Sequence, residues 1–150
     1  MLYGQEFLLL NGDFVIGAEV IKDLVECDFR TASLVDNEKL LQDGEMNVRV
    51  KNNTITQFSK DVKARDAQGE SVQITKFSFD DSARHFDRIE ALITENKTDL
   101  YPASAYDKII EESCMRPVYT NGKIWFEIDT VSDLLACRAY FENSLKENPL

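Results

Sequence analysis

The chain has 150 residues, a net charge of −10 from 27 acidic and 17 basic residues, and the apolar content of an ordinary globular protein. A chain of this length can bury a core as one domain, and its charge argues against binding a nucleic-acid backbone. It contains no apolar run of the ~18 residues that a membrane span needs. Its three cysteines are dispersed and form no CxxC pair, which favours reduced thiols. We therefore expect a cytoplasmic domain that binds neither nucleic acid nor membrane.

The first part of the chain has the pattern of a strand, a helix, a second strand and a hairpin. Residues 7–12 are a continuous apolar run, typical of a strand inside a parallel sheet. Apolar residues at helical spacing predict a helix over 17–26, and residues 31–37 form the second strand. Alternation beginning at 46 predicts a hairpin whose turn, Asn52-Asn53, tolerates positive φ. The apolar face of the helix comprises Ala18, Ile21, Leu24 and Val25.

The second part alternates strands with helices. Residues 70–79 form a strand, and Asp80 to Ser82 are candidate caps for the helix that follows. A short helix begins at 104–107, two strands flank the turn at Asn121-Gly122, and the last helix starts at 130–133. This alternation indicates an α/β fold. The predicted apolar faces are Ala83, Phe86, Ile89, Leu92 and Ile93 in the long helix, and Val131, Leu134, Leu135 and Phe141 in the last.

Carboxylates end two of the predicted strands. In "KIWFEID" the two-residue period places Trp125, Glu127 and Asp129 on one face. Two carboxylates at a strand end beside a helix N-terminus suit a hard divalent cation. Spacing alone favours the alternative, in which Glu127 is solvated and Asp129 caps the last helix. Asp13 has the same two alternatives, a helix cap or a metal ligand. Gly12 before it favours a ligand, since glycine lets one approach the backbone closely.

Four segments, in this order, resemble the sugar-nucleotidyltransferase-like superfamily: "FLLLNGD", "SLVDNEKLLQDGEMNVRVKNNTITQFSKDV", "GESVQITKFSFD" and "IWFEIDTVSDLLACRAYF". The likeness covers nearly the whole chain. It is greatest to the branch of phosphocholine and aminoethylphosphonate cytidylyltransferases and sugar-1-phosphate nucleotidyltransferases. The resemblance implies a Rossmann-like (GT-A-like) α/β fold, an open mixed sheet with flanking helices and β-hairpins.

The resemblance also implies a reaction and a set of site residues. In the family, a phosphate or phosphonate oxygen attacks the α-phosphorus of an NTP and pyrophosphate leaves, with Mg²⁺ offsetting the charge. The metal ligands of the family correspond to Asp13 and Asp129, and its catalytic lysines to Lys60 and Lys76. The substrate-binding candidates are Glu70, Gln73, Tyr101, Trp125 and Glu127.

Two departures from the family pattern limit what the resemblance implies. Gln73 stands where the family usually has glycine, and its side chain can fill space that substrate would use. The Gly-rich loop that cradles the triphosphate has no counterpart, because the six glycines are isolated from one another. We therefore expect residues 1–150 to be a single truncated domain, the C-terminal part of such an enzyme, and inactive alone. The alternative is a non-catalytic oligomerising or binding module built on the same fold.

The missing half has a consequence for assembly. In the resembled fold the "NGD" strand pairs on one side with a strand from the N-terminal portion, so the Phe7–Leu10 edge is bare in this chain. Uncovered apolar strand edges promote association. We expect a homo-oligomer, such as a dimer, or a partner chain that covers this edge.

Two further groups of residues have competing interpretations. His85, the only histidine, lies beside Arg84 and Asp87, which predicts a surface or boundary position. Tyr101, Tyr106 and Trp125 are either core aromatics or the lining of a pocket for a cationic head group.

Overall fold

The computed structural model describes residues 2–147, in which eight strands and four α-helices follow the α/β order that the sequence predicts. Short 3₁₀ turns occupy Ala64–Asp66 and Pro102–Tyr106. The strands are β1 (Phe7–Leu10), β2 (Phe14–Ile16), β3 (Thr31–Asp36), β4 (Asn47–Lys51), β5 (Thr54–Ser59), β6 (Gly69–Phe77), β7 (Met115–Tyr119) and β8 (Trp125–Glu127). The helices are α1 (Ala18–Glu26), α2 (Phe79–Thr94), α3 (Asp107–Glu112) and α4 (Val131–Glu147).

The main sheet is mixed, as expected, and β6 is its central strand. The strand order is β5-β4-β6-β3-β7, and β1 also pairs with β6. On one edge of β6 lies β3; on the other, β4 pairs near Glu70 and β1 pairs from Ile74 to Phe77. The pairings of β6 are all antiparallel, and β3 with β7 is parallel. The expectation that β1 lies inside a parallel sheet is therefore wrong. Its apolar run ends at Leu10 because the chain turns there to enter the separate ribbon of β2 and β8.

Apolar side chains cover both faces of the sheet, as a three-layer α/β arrangement requires. Helix α1 covers one face through Val20 and Leu24, and the apolar face predicted for it is only partly correct because Val25 is half exposed. One core cluster comprises Val20, Leu24, Ala32, Leu34, Val72 and Ile74. The other, on the side of α3, comprises Val35, Val48, Ile55, Phe77, Tyr106, Ile109 and Met115.

Both turns that the asparagines predict are present. Asn52 and Asn53 have φ of 51° and 56° and join β4 to β5, which confirms the hairpin. Asn121 also has positive φ, and the N–H of Lys123 donates to the carbonyl of Thr120 across that turn at 3.1 Å. The strands on either side of this second turn do not pair with each other. β7 joins the main sheet and β8 joins β2.

Helix α2 begins earlier than predicted, and its predicted apolar face is correct in part: Leu92 is buried, whereas Ile93 is 57% exposed. Ser78 is its N-cap, accepting a hydrogen bond from the N–H of Asp81, so the caps predicted at Asp80 to Ser82 are wrong.

His85 is 2% exposed, which corrects the surface position expected for it. Its ring stacks on Phe77 at 4.8 Å between centroids, and burial lowers its pKa. The charges beside His85 in sequence did not predict its burial, because three of the aromatic rings against it, Phe7, Phe77 and Tyr106, come from other elements.

The last helix does not bury the face that its sequence predicts. Val131 is 74% exposed and Leu135 is 59% exposed, and Leu134 and Phe141 are also exposed. The apolar residues of α4 are only weakly concentrated on one face, and β8 is the main element among residues 2–147 that packs on it. The prediction that these four side chains are buried is therefore wrong for this chain.

Among residues 2–147, no helix is both long enough and apolar enough to cross a membrane.

Candidate active site

The two-stranded ribbon of β2 and β8 brings together an early and a late segment of the sequence. Phe14 of β2 lies opposite Glu127 of β8, and the N–H of Ile128 donates to the carbonyl of Asp13 at 2.8 Å. Asp13 immediately precedes β2, and Asp129 follows β8. Because antiparallel partners lie directly across from each other, this register sets both aspartates at the same end of the ribbon.

The structure decides against the capping alternatives for both aspartates. Helix α1 has Gly17 at its N-cap and no side-chain cap, so Asp13 does not serve it. Helix α4 is capped by two reciprocal hydrogen bonds. The N–H of Asp133 donates to Thr130 Oγ1, and the N–H of Thr130 donates to the Asp133 carboxylate at 2.7 Å. This reciprocal cap occupies the helix N-terminus. The carboxylates of Asp13 and Asp129 are left for another partner.

Asp13, Glu127 and Asp129 form a carboxylate group. One oxygen from each lies within 4.8 Å of the others. The Oδ1 atom of Asp13 is buried and accepts no hydrogen bond from the described residues. Burial raises the pKa of Glu127, and the charges of Asp129 and Asp13 raise it further. These oxygens are the hard donors that Mg²⁺ takes in proteins.

Gln73 connects β1, β6 and β8 at this point. Its Oε1 accepts from Asn11 Nδ2 at 2.8 Å, and its Nε2 donates to Glu127 Oε1 at 2.8 Å. Gln73 has φ of 59° in a bulge of β6, where the register with β3 shifts. A residue other than glycine in this region costs about 1 kcal/mol or more. A strained backbone thus delivers a side chain that fixes one oxygen of Glu127.

A second set of charged residues lies beside the first. Glu45, Glu70 and Glu127 bring oxygens within 4.8 Å of one another. Glu70 is 2% exposed, and Lys39 Nζ donates to its Oε1 at 2.8 Å. Burial raises the pKa of Glu70 although Lys39 opposes the shift, and the charges of Glu45 and Asp36 add to it. Glu127 therefore belongs to two adjacent groups.

Asp36 holds the wall of the site in place. Its Oδ2 accepts from the indole Nε1 of Trp125 at 2.6 Å, and its Oδ1 accepts from the backbone N–H groups of Glu38 and Lys39. Burial raises the pKa of Asp36, but these hydrogen bonds outweigh it and the net shift is downward. The ammonium of Lys39 lies 5.2 Å from the centroid of the Trp125 ring. Asp36 thus joins the end of β3 to β8.

Most of these residues line an open cleft of about 550 Å³, here called the carboxylate cleft. Asp13, Glu70 and Gln73 are not part of its lining but adjoin it through Glu127. Six carboxylate residues and two lysines contribute to its lining, which makes it strongly acidic. The lining residues are Asp36, Glu38, Lys39, Glu45, Gly122, Lys123, Ile124, Trp125, Phe126, Glu127, Asp129, Thr130, Asp133 and Ala136.

The two predicted catalytic lysines lie in different places. Lys60 Nζ lies 4.7 Å from the centroid of the Tyr101 ring. The Tyr101 side chain raises the pKa of Lys60, and the charges of Glu45 and Glu127 add to the effect, so Lys60 is within electrostatic reach of the cleft. Lys76 is not brought to the cleft. Its Nζ donates to the carbonyl of Cys27 at 2.9 Å, beside the C-terminal end of α1, where cations are favourable.

The three candidate aromatics do not form one pocket. Trp125 lines the carboxylate cleft. Tyr106 is 4% exposed and belongs to the core, which agrees with the first of its two predicted alternatives, a core aromatic. Tyr101 lines a separate apolar groove beside β1 and α2. Among the site residues that sequence reasoning missed are Asp36 and Glu45. The one signal that could have found them is that each carboxylate lies at or beside the end of a predicted strand.

The fold matches those of solved nucleotidyltransferases. The inositol-1-phosphate CTP transferase from T. maritima has a TM-score of 0.67 and 19% identity, over 95% of this chain and 57% of that one. The CTP:phosphocholine cytidylyltransferase from Streptococcus pneumoniae has a TM-score of 0.68 and 13% identity, over 89% and 57%. UDP-glucose pyrophosphorylase from Acinetobacter baumannii has a TM-score of 0.69 and 13% identity, over 99% and 54%.

These likenesses confirm the fold that the four sequence segments predict. The chain spans little more than half the length of each of these proteins. No protein-family model matches the sequence, and no curated protein matches it either. The likeness is therefore one of fold, carried by structure at low sequence identity.

The strain at Gln73 predicts an unusual response to substitution. Gln73→Gly and Gln73→Ala both remove the side-chain hydrogen bonds, but only alanine keeps the cost of positive φ. We expect Gln73→Gly to be more stable than Gln73→Ala by about 1 kcal/mol in urea denaturation.

Gln57 provides the matched control, since it is an exposed glutamine in β5 without positive φ. There glycine should be less stable than alanine by roughly 0.5–1 kcal/mol. The interpretation fails if the order of stability at Gln73 is the same as at Gln57.

Proposed function

We propose that this chain is the metal- and acceptor-binding portion of a nucleotidyltransferase. The observation that supports this most is the meeting of Asp13, which immediately precedes β2, with Glu127 and Asp129, which line the carboxylate cleft. In the proposed reaction an acceptor phosphate or phosphonate oxygen forms a bond to the α-phosphorus of an NTP. The bond from that phosphorus to the bridging oxygen breaks, and pyrophosphate leaves with the electron pair.

The donor set fits the divalent cation that such a reaction uses. Asp13 and Asp129 would hold Mg²⁺ through oxygen ligands, and the buried Oδ1 of Asp13 has no other partner among the described residues. When bound, the ion offsets negative charge on phosphate oxygens. Mutual repulsion among the carboxylates, seen in the raised pKa of Glu127, is relieved by a cation at the same place.

The other residues of the cleft have defined parts in this proposal. Gln73 fixes Glu127, so that one carboxylate oxygen keeps its direction when substrate enters. Trp125 provides a rigid wall because Asp36 anchors its indole. Of the two lysines that the resemblance implies, Lys60 is the one we propose to approach a substrate phosphate, since Lys76 Nζ donates to the carbonyl of Cys27. We assign no step to Lys76, whose ammonium serves α1.

The acidity of the cleft favours an acceptor whose far end is cationic. A lining with six carboxylate residues and two lysines repels an anionic group that lacks a metal ion, and it attracts an ammonium group. We therefore propose a phosphorylated amino-alcohol or a related phosphonate as the acceptor, with its phosphate at the metal. A phosphocholine cytidylyltransferase is among the proteins of similar fold.

We propose that the binding site for the nucleoside triphosphate is not supplied by residues 1–150. The glycines of this chain are dispersed, so no Gly-rich loop supplies the N–H groups that cradle a triphosphate. We propose that a separate polypeptide segment supplies that loop and that residues 1–150 alone do not turn over. The cytoplasm is the proposed location, consistent with three free cysteines.

The exposed edge of β1 supports an assembly role. Among the described residues, β6 is the only strand that pairs with β1, and Leu10 is 44% exposed. An apolar strand with a free edge is a template for a further strand. We propose that a second copy of the chain or a partner chain covers it, and this is also how a purely oligomerising module would work.

Replacing either proposed metal ligand should weaken ion binding. Asp13→Asn and Asp129→Asn each remove a charged oxygen donor, so we expect Mg²⁺ affinity at that group to fall about tenfold or more, ~1.4 kcal/mol. Isothermal titration measures it, with Asp61→Asn, an exposed aspartate that does not line the cleft, as the unchanged control.

The same titration extends to substrate. With Mg²⁺ present, phosphocholine should bind the wild type and should bind either variant more weakly. If phosphocholine, a sugar phosphate and CTP all fail to bind in a Mg²⁺-dependent way, the nucleotidyltransferase proposal is rejected for this chain and the oligomerising module is retained.

The free edge predicts association at micromolar concentration. Sedimentation velocity should show a dimer or larger species, and Leu10→Glu should shift it to monomer because a charge opposes pairing at the edge. Leu40→Glu, at a leucine that is 83% exposed and outside the strands, should leave it unchanged. A wild-type monomer in which the β1 amides that face away from β6 exchange without protection contradicts the proposal.

A further inference from the structure

Three glutamates meet beside the carboxylate cleft, and two of them, Glu45 and Glu127, also line it. Glu45 comes from the segment before β4, Glu70 from β6 and Glu127 from β8. Their oxygens lie within 4.8 Å of one another, and Glu127 is shared with the group of Asp13 and Asp129. Three separate elements thus contribute one carboxylate each to the same small volume.

Glu70 gives an independent sign that a ligand belongs there. The residue is 2% exposed, and while its Oε1 accepts from Lys39, its Oε2 is buried without a hydrogen-bond donor among the described residues. Buried carboxylate oxygens in folded proteins are nearly always satisfied, because leaving one without a partner costs free energy. Glu70, one of the three glutamates, thus has a buried oxygen without a partner in the described part of the chain, and a cation bound there would satisfy it.

The charges of the two groups point to more than one ion. Together the groups contain five carboxylates, and among the described residues Lys39 is the one ammonium in a salt bridge with any of them. Asp129 is exposed, but the other four carboxylates are buried or half-buried, where charge needs compensation, and one lysine leaves most of theirs uncompensated. Two divalent ions, one in each group, would balance it.

We propose that Glu45, Glu70 and Glu127 bind a second divalent cation, distinct from the ion at Asp13 and Asp129. The ligands are all oxygen, so the ion is a hard one such as Mg²⁺ or Mn²⁺. Glu127 serves both ions. Gln73 fixes the Glu127 carboxylate between them by donating a hydrogen bond from its Nε2 to Glu127 Oε1. The proposed function needs one ion only, so this inference goes beyond it. Two ions flanking one carboxylate are a known device for binding phosphate oxygens.

Mn²⁺ titration of the intact chain tests the second site, with bound ion counted by calorimetry and by the loss of the free-ion electron paramagnetic resonance signal. We expect two ions per wild-type chain, one in Glu45→Gln and one in Asp13→Asn. Glu38→Gln is the control, since Glu38 is an exposed glutamate of the same cleft outside both groups, and it should keep two. Glu45→Ala replaces Glu45→Gln if that variant is unfolded by thermal melting.

The outcomes separate this proposal from the proposed function. One wild-type ion that Asp13→Asn removes and Glu45→Gln keeps overturns the second site and leaves the proposed function intact. One ion that Glu45→Gln removes and Asp13→Asn keeps supports this site and overturns the metal assignment of the proposed function. No bound Mn²⁺ at all overturns both.

Discussion

The pairing of β2 with β8 is the constraint on which the site depends. These two short strands do not belong to the main sheet, yet their antiparallel register sets Asp13 against Ile128 and so puts Asp13 beside Asp129. The capping of α4 by Thr130 and Asp133 then leaves the Asp129 carboxylate free of the helix. A shift of one residue in this ribbon would turn each side chain to the opposite face and separate the carboxylates. The chemistry proposed for the cleft thus follows from three backbone pairs.

The main sheet contributes to the site through its one irregular position. The bulge at Gln73 lets β6 aim a polar side chain at Asn11 and Glu127, at the cost of a backbone conformation that suits glycine. Strain of this kind is retained where the side chain is used. Lys39, Trp125 and Asp36 extend the same connection to the end of β3. The cleft is therefore braced from the sheet on one side and from the ribbon on the other.

The sequence predicted the fold class, the hairpin at Asn52-Asn53 and the meeting of Asp13 with Asp129, because period, turn residues and family motifs are local signals. It did not predict the burial of His85 or the exposure of Val131, since both depend on which other elements pack there. Glu45 and Asp36 gave only weak signals, as a carboxylate near a strand end is usually solvated. Lys76 matches the family motif in sequence, but its ammonium donates to the carbonyl of Cys27 at the end of α1. No local sequence pattern shows that this helix end lies within its reach.

The central claim is that Asp13 and Asp129 bind a divalent cation in the carboxylate cleft. Anomalous scattering from crystals grown with Mn²⁺ tests this most directly. The account predicts an anomalous peak within bonding distance of both aspartate carboxylates, with Gln73 still bridging Asn11 and Glu127. Manganese bound elsewhere on the chain, with no peak between Asp13 and Asp129, would contradict it.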